Sequence, residues 1–196
     1  IIARTPFGPA VRKLEDNLLQ TQSQNCVCFT ETPIEHVSLL IGGIEGRSCQ
    51  LEPYGIAITK IQGRKRGVNP VWYTDITHGH HWISNEIDHL IDNAIENDFD
   101  DQPISKLTPF FEQMGSGESY RKEFWWEREW RHIGDFSLPV RYIVLCPNEE
   151  TDRFSEIINS NGFLEQPRVA FLDPAWSLEK IIGRLAGFEP SYLGPF

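Results

Sequence analysis

The nine residues Phe124–His132 (FWWEREWRH) set three tryptophans among two glutamates and two arginines, a mixture that neither a plain core strand nor a plain surface helix absorbs easily. An extended chain points successive side chains to opposite faces. Glu127, Glu129 and Arg131 then share one face, and Trp126, Arg128, Trp130 and His132 share the other. Two carboxylates two positions apart on one strand face repel unless a cation stands near them, and Arg131 is the cation on their own face. A surface strand laced with ion pairs satisfies this pattern. An acid pair at the edge of a cleft floored by indoles satisfies it too, and that is the arrangement with chemical use.

The remaining chain reads as short elements without repeats or low-complexity tracts, so a single domain is expected. Helical spacing marks Val11–Leu19, Ile34–Ile41 behind the Thr32-Pro33 cap, Phe154–Ile158 and Leu178–Leu185. The clearest amphipathic helix is Ile83–Ile95, with Ile83, Ile87, Leu90, Ile91 and Ala94 on one face. Strands are expected at Cys26–Thr30, Tyr54–Lys60, Val71–Asp75, Val140–Cys146 and Arg168–Leu172. Asn97–Gln102 reads as an acidic loop carrying Asp98, Asp100 and Asp101, and Met114–Gly117 as a flexible turn. Short strands outnumber clear βαβ units, which points to an α+β fold around mixed or antiparallel sheet.

At 196 residues and 40% hydrophobic content the chain can build a real core, which excludes a disordered tail and a disulfide-stapled miniature. No run approaches the roughly 20 apolar residues of a membrane helix. The formal charge of -10 argues against tight, sequence-blind binding to duplex DNA. Cys26 and Cys28 sit in a strand pattern. With Cys49 and Cys146 they are expected to be free thiols of a cytoplasmic protein rather than zinc ligands. The chain opens at Ile1 and its one methionine is Met114, so a start upstream of Ile1 is expected. His78, His80 and His81 beside Asp75 carry donor atoms for a transition metal but lack a partner motif of defined spacing, and no metal is expected. Gly42–Gly46 and Gly115–Gly117 fail the dinucleotide fingerprint, and no nucleophile elbow, zincin or kinase signature occurs. Phe188, Tyr192 and Phe196 give the C-terminal segment an aromatic character that suits packing onto its own domain.

Six stretches together resemble the AbiGi family of bacterial abortive-infection proteins. They are Phe7-Gly8-x-Ala10, Val27–Ile34, Tyr54–Ala57 with Lys60, Pro70–Tyr73, Leu107–Phe110 and, most specifically, Trp126–Arg131. The resemblance implies a phage-defence role, a cognate partner in a toxin–antitoxin pair, a core over 1–147 and a C-terminal extension over 148–196 packed on it. A more distant likeness is to ADP-ribosyltransferases of the DarT kind, in which a mobile loop precedes an acidic pair on a strand. It implies an α+β fold with a split sheet flanked by helices, NAD as co-substrate, and transfer of ADP-ribose to a nucleic-acid or protein acceptor. Carried over by position, Glu129 would grip the nicotinamide ribose and stabilise the oxocarbenium-like transition state, while Glu127 would orient or deprotonate the acceptor. Thr30 would support the strand under the nicotinamide, Tyr54 or Trp126 would stack on its ring, and Arg4 would meet the pyrophosphate, with Arg131 in the same cofactor-binding set. The alternative implied by the first resemblance is an antitoxin without catalysis, using its acidic surface against a partner.

Overall fold

The structure, a computed structural model, describes residues 1–14, 17–42, 44, 50–117, 121–160 and 168–188. Cys49, the glycine pattern beyond Gly42, and Tyr192 and Phe196 lie outside the described residues. In chain order the regular elements are β1 (Thr5–Pro6), α1 (Leu18–Gln22), β2 (Asn25–Thr30), β3 (Gly55–Ala57), α2 (Lys60–Arg64), β4 (Asn69–Pro70) and β5 (Trp72–Asp75). There follow α3 (Trp82–Glu96), β6 (Phe111–Ser116), β7 (Arg121–Lys122), β8 (Glu129–Ile133), β9 (Arg141–Leu145), α4 (Thr151–Ser160), β10 (Arg168–Leu172) and α5 (Leu178–Leu185). The fold is mixed α+β, as expected. Among the described residues no helix is long and apolar enough to cross a membrane.

The chain divides into two compact units, each built from separate stretches of sequence. Unit 1 holds Ile1–Glu31 and Gly63–Ser137, and unit 2 holds Thr32–Gln62 and Leu138–Phe196. In unit 1 an antiparallel sheet runs β1-β2-β8-β4, with Cys28 opposite Arg131 and Thr30 opposite Glu129. A second sheet runs β5-β6-β7, in which β5 and β6 are parallel and joined through α3. Helix α3 buries Ser84, Ile87, Ile91 and Ala94, an i, i+3, i+7, i+10 stripe, against Ala10, Leu14, Phe99 and Phe111. Ile83 and Leu90, expected on the same face, flank that stripe and remain about half exposed.

Unit 2 centres on β9, with β10 parallel on one side and β3 antiparallel on the other. Tyr142, Val144 and Cys146 pack toward Phe154 and Ile158 of α4, whereas Ile143 and Leu145 cluster with Ile181 of α5 and with Ile34, Val37 and Trp176. A strand covered by helices on both faces needs apolar residues at successive positions. The run Tyr142–Leu145 supplies them.

Four local expectations give way. The expected helix Val11–Leu19 splits into a 3-10 turn, Pro9–Lys13, and α1, leaving Leu18 and Leu19 exposed. Ile34–Leu40 is 3-10 rather than α-helical, and the strand expected over Tyr54–Lys60 shrinks to β3 before Lys60 opens α2. Met114–Gly117 is no flexible turn. Met114, Gly115 and Ser116 continue β6, where the lack of a Cβ at Gly115 lets the strand lie against the Thr77 backbone.

Gly8 shows how tightly unit 1 is closed. Its φ is +97°, and a Cβ there would stand 2.0 Å from the Thr108 carbonyl oxygen. Gly134 also has a left-handed φ of +73° but faces open space. Denaturant titration should therefore separate two changes that a backbone preference alone would equate. Gly134→Ala is expected to destabilise by about 1–2 kcal/mol. Gly8→Ala should exceed this by several kcal/mol, because rigid backbone must move.

Candidate functional site

The segment Phe124–His132 is only partly extended. Trp125–Glu127 form a 3-10 turn, and Arg128 turns the chain with a left-handed φ of 48°. Strand β8 begins at Glu129, so Glu127 precedes the strand and the alternation that would have aligned the two carboxylates is broken between them. Among the contacts that fix the tight turn, Glu127 N–H donates to the Phe124 carbonyl (3.0 Å), the Thr30 hydroxyl donates to the Glu127 carbonyl (2.6 Å), and Glu31 N–H donates to the Arg128 carbonyl (3.2 Å).

Once the strand starts, Arg131 points inward. Its side chain is 1% exposed, which makes it the bulkiest fully buried side chain among the described residues. Arg131 Nε donates to Glu129 Oε1 (2.9 Å) and Nη2 to Glu129 Oε2 (2.8 Å), a bidentate pair. Nη2 also meets Glu112, and Nη1 donates to the Pro109 carbonyl at 2.7 Å. The guanidinium lies over the Phe7 ring, 4.4 Å from its centroid. Lys122 pairs with Glu112 from the outer side.

The electrostatics follow from this packing. Burial alone would favour a neutral Arg131. The hydrogen bonds and charges of Glu129 and Glu112 outweigh it and push its pKa up. Burial likewise opposes ionisation of Glu112, yet Arg131 and Lys122 hold its carboxyl below the ordinary value of 4.5. The Cys26 thiol on β2 is pushed up to about 11 by burial, so it stays protonated at neutral pH.

A third carboxylate, Glu31, organises the outer side. Glu31 accepts from Arg128 Nη2 (2.7 Å) through one oxygen and from Trp130 Nε1 (2.8 Å) through the other. Glu129 N–H donates to the Tyr73 hydroxyl (2.9 Å), and the Trp125 ring stands edge-on to Tyr73 at 5.5 Å. Val71 N–H donates to the Glu129 carbonyl (2.9 Å), while Pro70 lies opposite Trp130 in β4.

Of the residues expected to bind NAD or catalyse, Glu129 and Arg131 form one pair, and Thr30 and Glu127 meet through the carbonyl bond above. Trp126 is half exposed, at 6.4 Å from Phe124. Arg4 is exposed beside β1. Tyr54 belongs to unit 2, where its hydroxyl donates to Glu150 (2.5 Å) and its ring rests 5.8 Å from Phe154. His78 and His81 stack at 6.1 Å, but among the described residues no three His, Cys, Asp or Glu side chains gather as metal ligands do. Sequence reasoning missed Glu112, Glu31 and Tyr73 as partners. It also gave no role to Phe7 or Pro109, although both lie in stretches that carried the resemblance.

The arrangement defines an α+β protein whose most distinctive sequence builds a buried arginine network. A family model described as "Putative abortive phage resistance protein AbiGi, antitoxin" matches residues 7–173, and the chain belongs to that family. No curated protein and no solved structure matches it.

Two measurements test the network. Arg131→Ala leaves Glu129 and Glu112 without their buried counter-charge and is expected to lower stability by about 3–5 kcal/mol in urea titration. The depressed Glu112 carboxyl contributes stability that is fully present above pH 4.5 and lost as pH falls through its lower native value. Glu112→Gln should therefore lose less stability than the wild type as pH falls below about 4.5, measured by urea titration across the acid range.

Proposed function

We propose that this protein is the antitoxin of an abortive phage-resistance pair and restrains its partner by direct protein contact. The family description supports a defence role and the antitoxin side of it. The observation that favours binding over catalysis is the fate of Glu129. A carboxylate that grips ribose hydroxyls must offer its oxygens to substrate, whereas both oxygens of Glu129 accept from Arg131 on the same strand and its side chain is only 15% exposed. Glu127, its intended companion, stands in the turn before that strand.

The acidic surface gives this reading a means of contact. Asp88, Asp92 and Glu96 follow at i, i+4, i+8 along one flank of α3, and Asp98, Asp100 and Asp101 continue directly beyond its end. Like charges at that spacing, and negative charge at a helix C-terminus, both destabilise a helix by a few tenths of a kcal/mol each. Lys13 offsets one of them by pairing with Asp92 at 2.5 Å. A basic toxin surface would meet the rest, with the steering that complementary fields provide.

Co-expression with the toxin encoded beside it should restore growth and yield a co-purifying complex. Glu127→Gln with Glu129→Gln should preserve rescue as long as the variant remains folded. Glu96→Lys with Asp100→Lys and Asp101→Lys should weaken the complex at least tenfold. Incubation with NAD should release nicotinamide no faster than buffer. Release by the wild type that is abolished in a Glu129→Gln variant with an unchanged thermal midpoint would instead establish the ADP-ribosyl-transfer reading.

A further inference from the structure

An acidic chain carries one conspicuously basic turn, and unit 1 sets it beside indoles. From Gly63 to Thr74 there is no acidic residue, whereas Arg64, Lys65 and Arg66 follow in succession. The turn is closed by Arg66 N–H and Val68 N–H donating to the Gly63 carbonyl (2.9 and 3.1 Å), and it leads into β4 on the edge of β8. Arg64 and Lys65 are exposed. The Arg64 guanidinium stands 5.4 Å from the Trp130 ring centroid. Glu31 then links Trp130 to Arg128, whose side chain is 58% exposed even in that pair. Trp125 and Trp126, immediately before Arg128, are 42% and 48% exposed. Arg64 and Arg128 are thus tied to Trp130 by named contacts, and the half-exposed Trp125 and Trp126 adjoin Arg128 along the chain. Of the carboxylates in this stretch, Glu31 fixes Arg128 and Trp130 in place, Glu129 is turned to Arg131, Glu123 pairs with Arg121, and Glu127 is partly buried.

We propose that this face of unit 1 binds single-stranded nucleic acid, the cations meeting backbone phosphates and the indoles stacking on bases. An acidic protein segment would satisfy the cations equally well but would leave the indoles without a flat partner. Unpaired bases offer a π-face at every step, and stacking on aromatic side chains tolerates any sequence. A duplex hides its base faces within the stack and offers the indoles none. The proposal is independent of the antitoxin reading.

The test is fluorescence anisotropy of the full chain with a labelled mixed-sequence single strand, as DNA and as RNA, between 50 and 200 mM salt. With Arg64, Lys65 and Arg128 contacting phosphates, log affinity should fall against log salt with a slope of roughly -2. Arg64→Gln with Lys65→Gln should reduce that slope by about 1.4. Trp126→Ala should weaken binding about 5- to 150-fold without altering the slope, as loss of one stacked base does. Lys106→Gln, an exposed cation elsewhere in unit 1, should change nothing. Thermal midpoints of all variants confirm that each is folded. No binding at 50 mM salt overturns the proposal, as does affinity indifferent to Trp126→Ala in the folded variant. Equal displacement by a poly-glutamate peptide also overturns it and assigns the face to an acidic protein partner.

Discussion

A guanidinium that is 1% exposed is the constraint around which unit 1 is arranged. Removing a cation from water has an effective penalty of several kcal/mol unless opposite charge and hydrogen-bond acceptors replace the solvent. Here the replacements come from far apart in the chain. Glu129 lies on the same strand, Glu112 on β6, the Pro109 carbonyl in the turn before it, and the Phe7 ring near the beginning of the chain. Every stretch of unit 1 that carries the resemblance ends at this network or one contact from it. Gly8 belongs to the same closure: only a residue without a side chain allows the loop bearing Phe7 to lie against Thr108, beside the carbonyl that Arg131 needs. Such a network depends on completeness, since removing one partner leaves the others buried and unmatched.

What could be read from the sequence, and what could not, follows from how local the cause is. Strand β9 is visible because both its faces are covered, so successive apolar residues leave no other reading. Helix α3 is visible because fifteen residues sustain one period. Strand β6 is hidden, because Gly115 and Gly117 suggest a turn, whereas the glycine is there to bring the strand against Thr77. The segment around Glu129 is half visible. Its pairing with Arg131 follows from strand periodicity, but the 3-10 turn and the left-handed Arg128 depend on Thr30 and Glu31, almost 100 residues earlier. A carbonyl such as that of Pro109 is not written in side-chain chemistry at all, so it has no sequence signal as a ligand.

This distribution changes how the segment Phe124–His132 is understood. A dense arrangement of tryptophan, glutamate and arginine invites a catalytic reading, because reactive sites also assemble charges at close range. In this chain the inward half of the segment goes into the interior and the outward half into an exposed aromatic and basic rim. Substitutions in the two halves should not be interpreted alike. The inward residues report on integrity of the fold, and the outward residues on what the surface meets. The acidic flank of α3 and the basic rim give one small unit surfaces of opposite sign, a disposition suited to engaging more than one partner.

The interleaving of the two units also has a consequence during synthesis. Unit 1 is complete in sequence at Ser137, whereas the Thr32–Gln62 stretch emerges within it and waits for its own partners. Strand β3 ends at Ala57 and β9 begins only at Arg141. At ribosomal speeds of about 5–20 residues per second, that gap of some 84 residues lasts roughly 4–17 seconds. Through that interval the insert stays unpaired while unit 1 is itself still being synthesised, Arg131 arriving only ten residues before β9 begins, and translation halted there would leave a half-built molecule whose exposed strand edge invites chaperones or degradation.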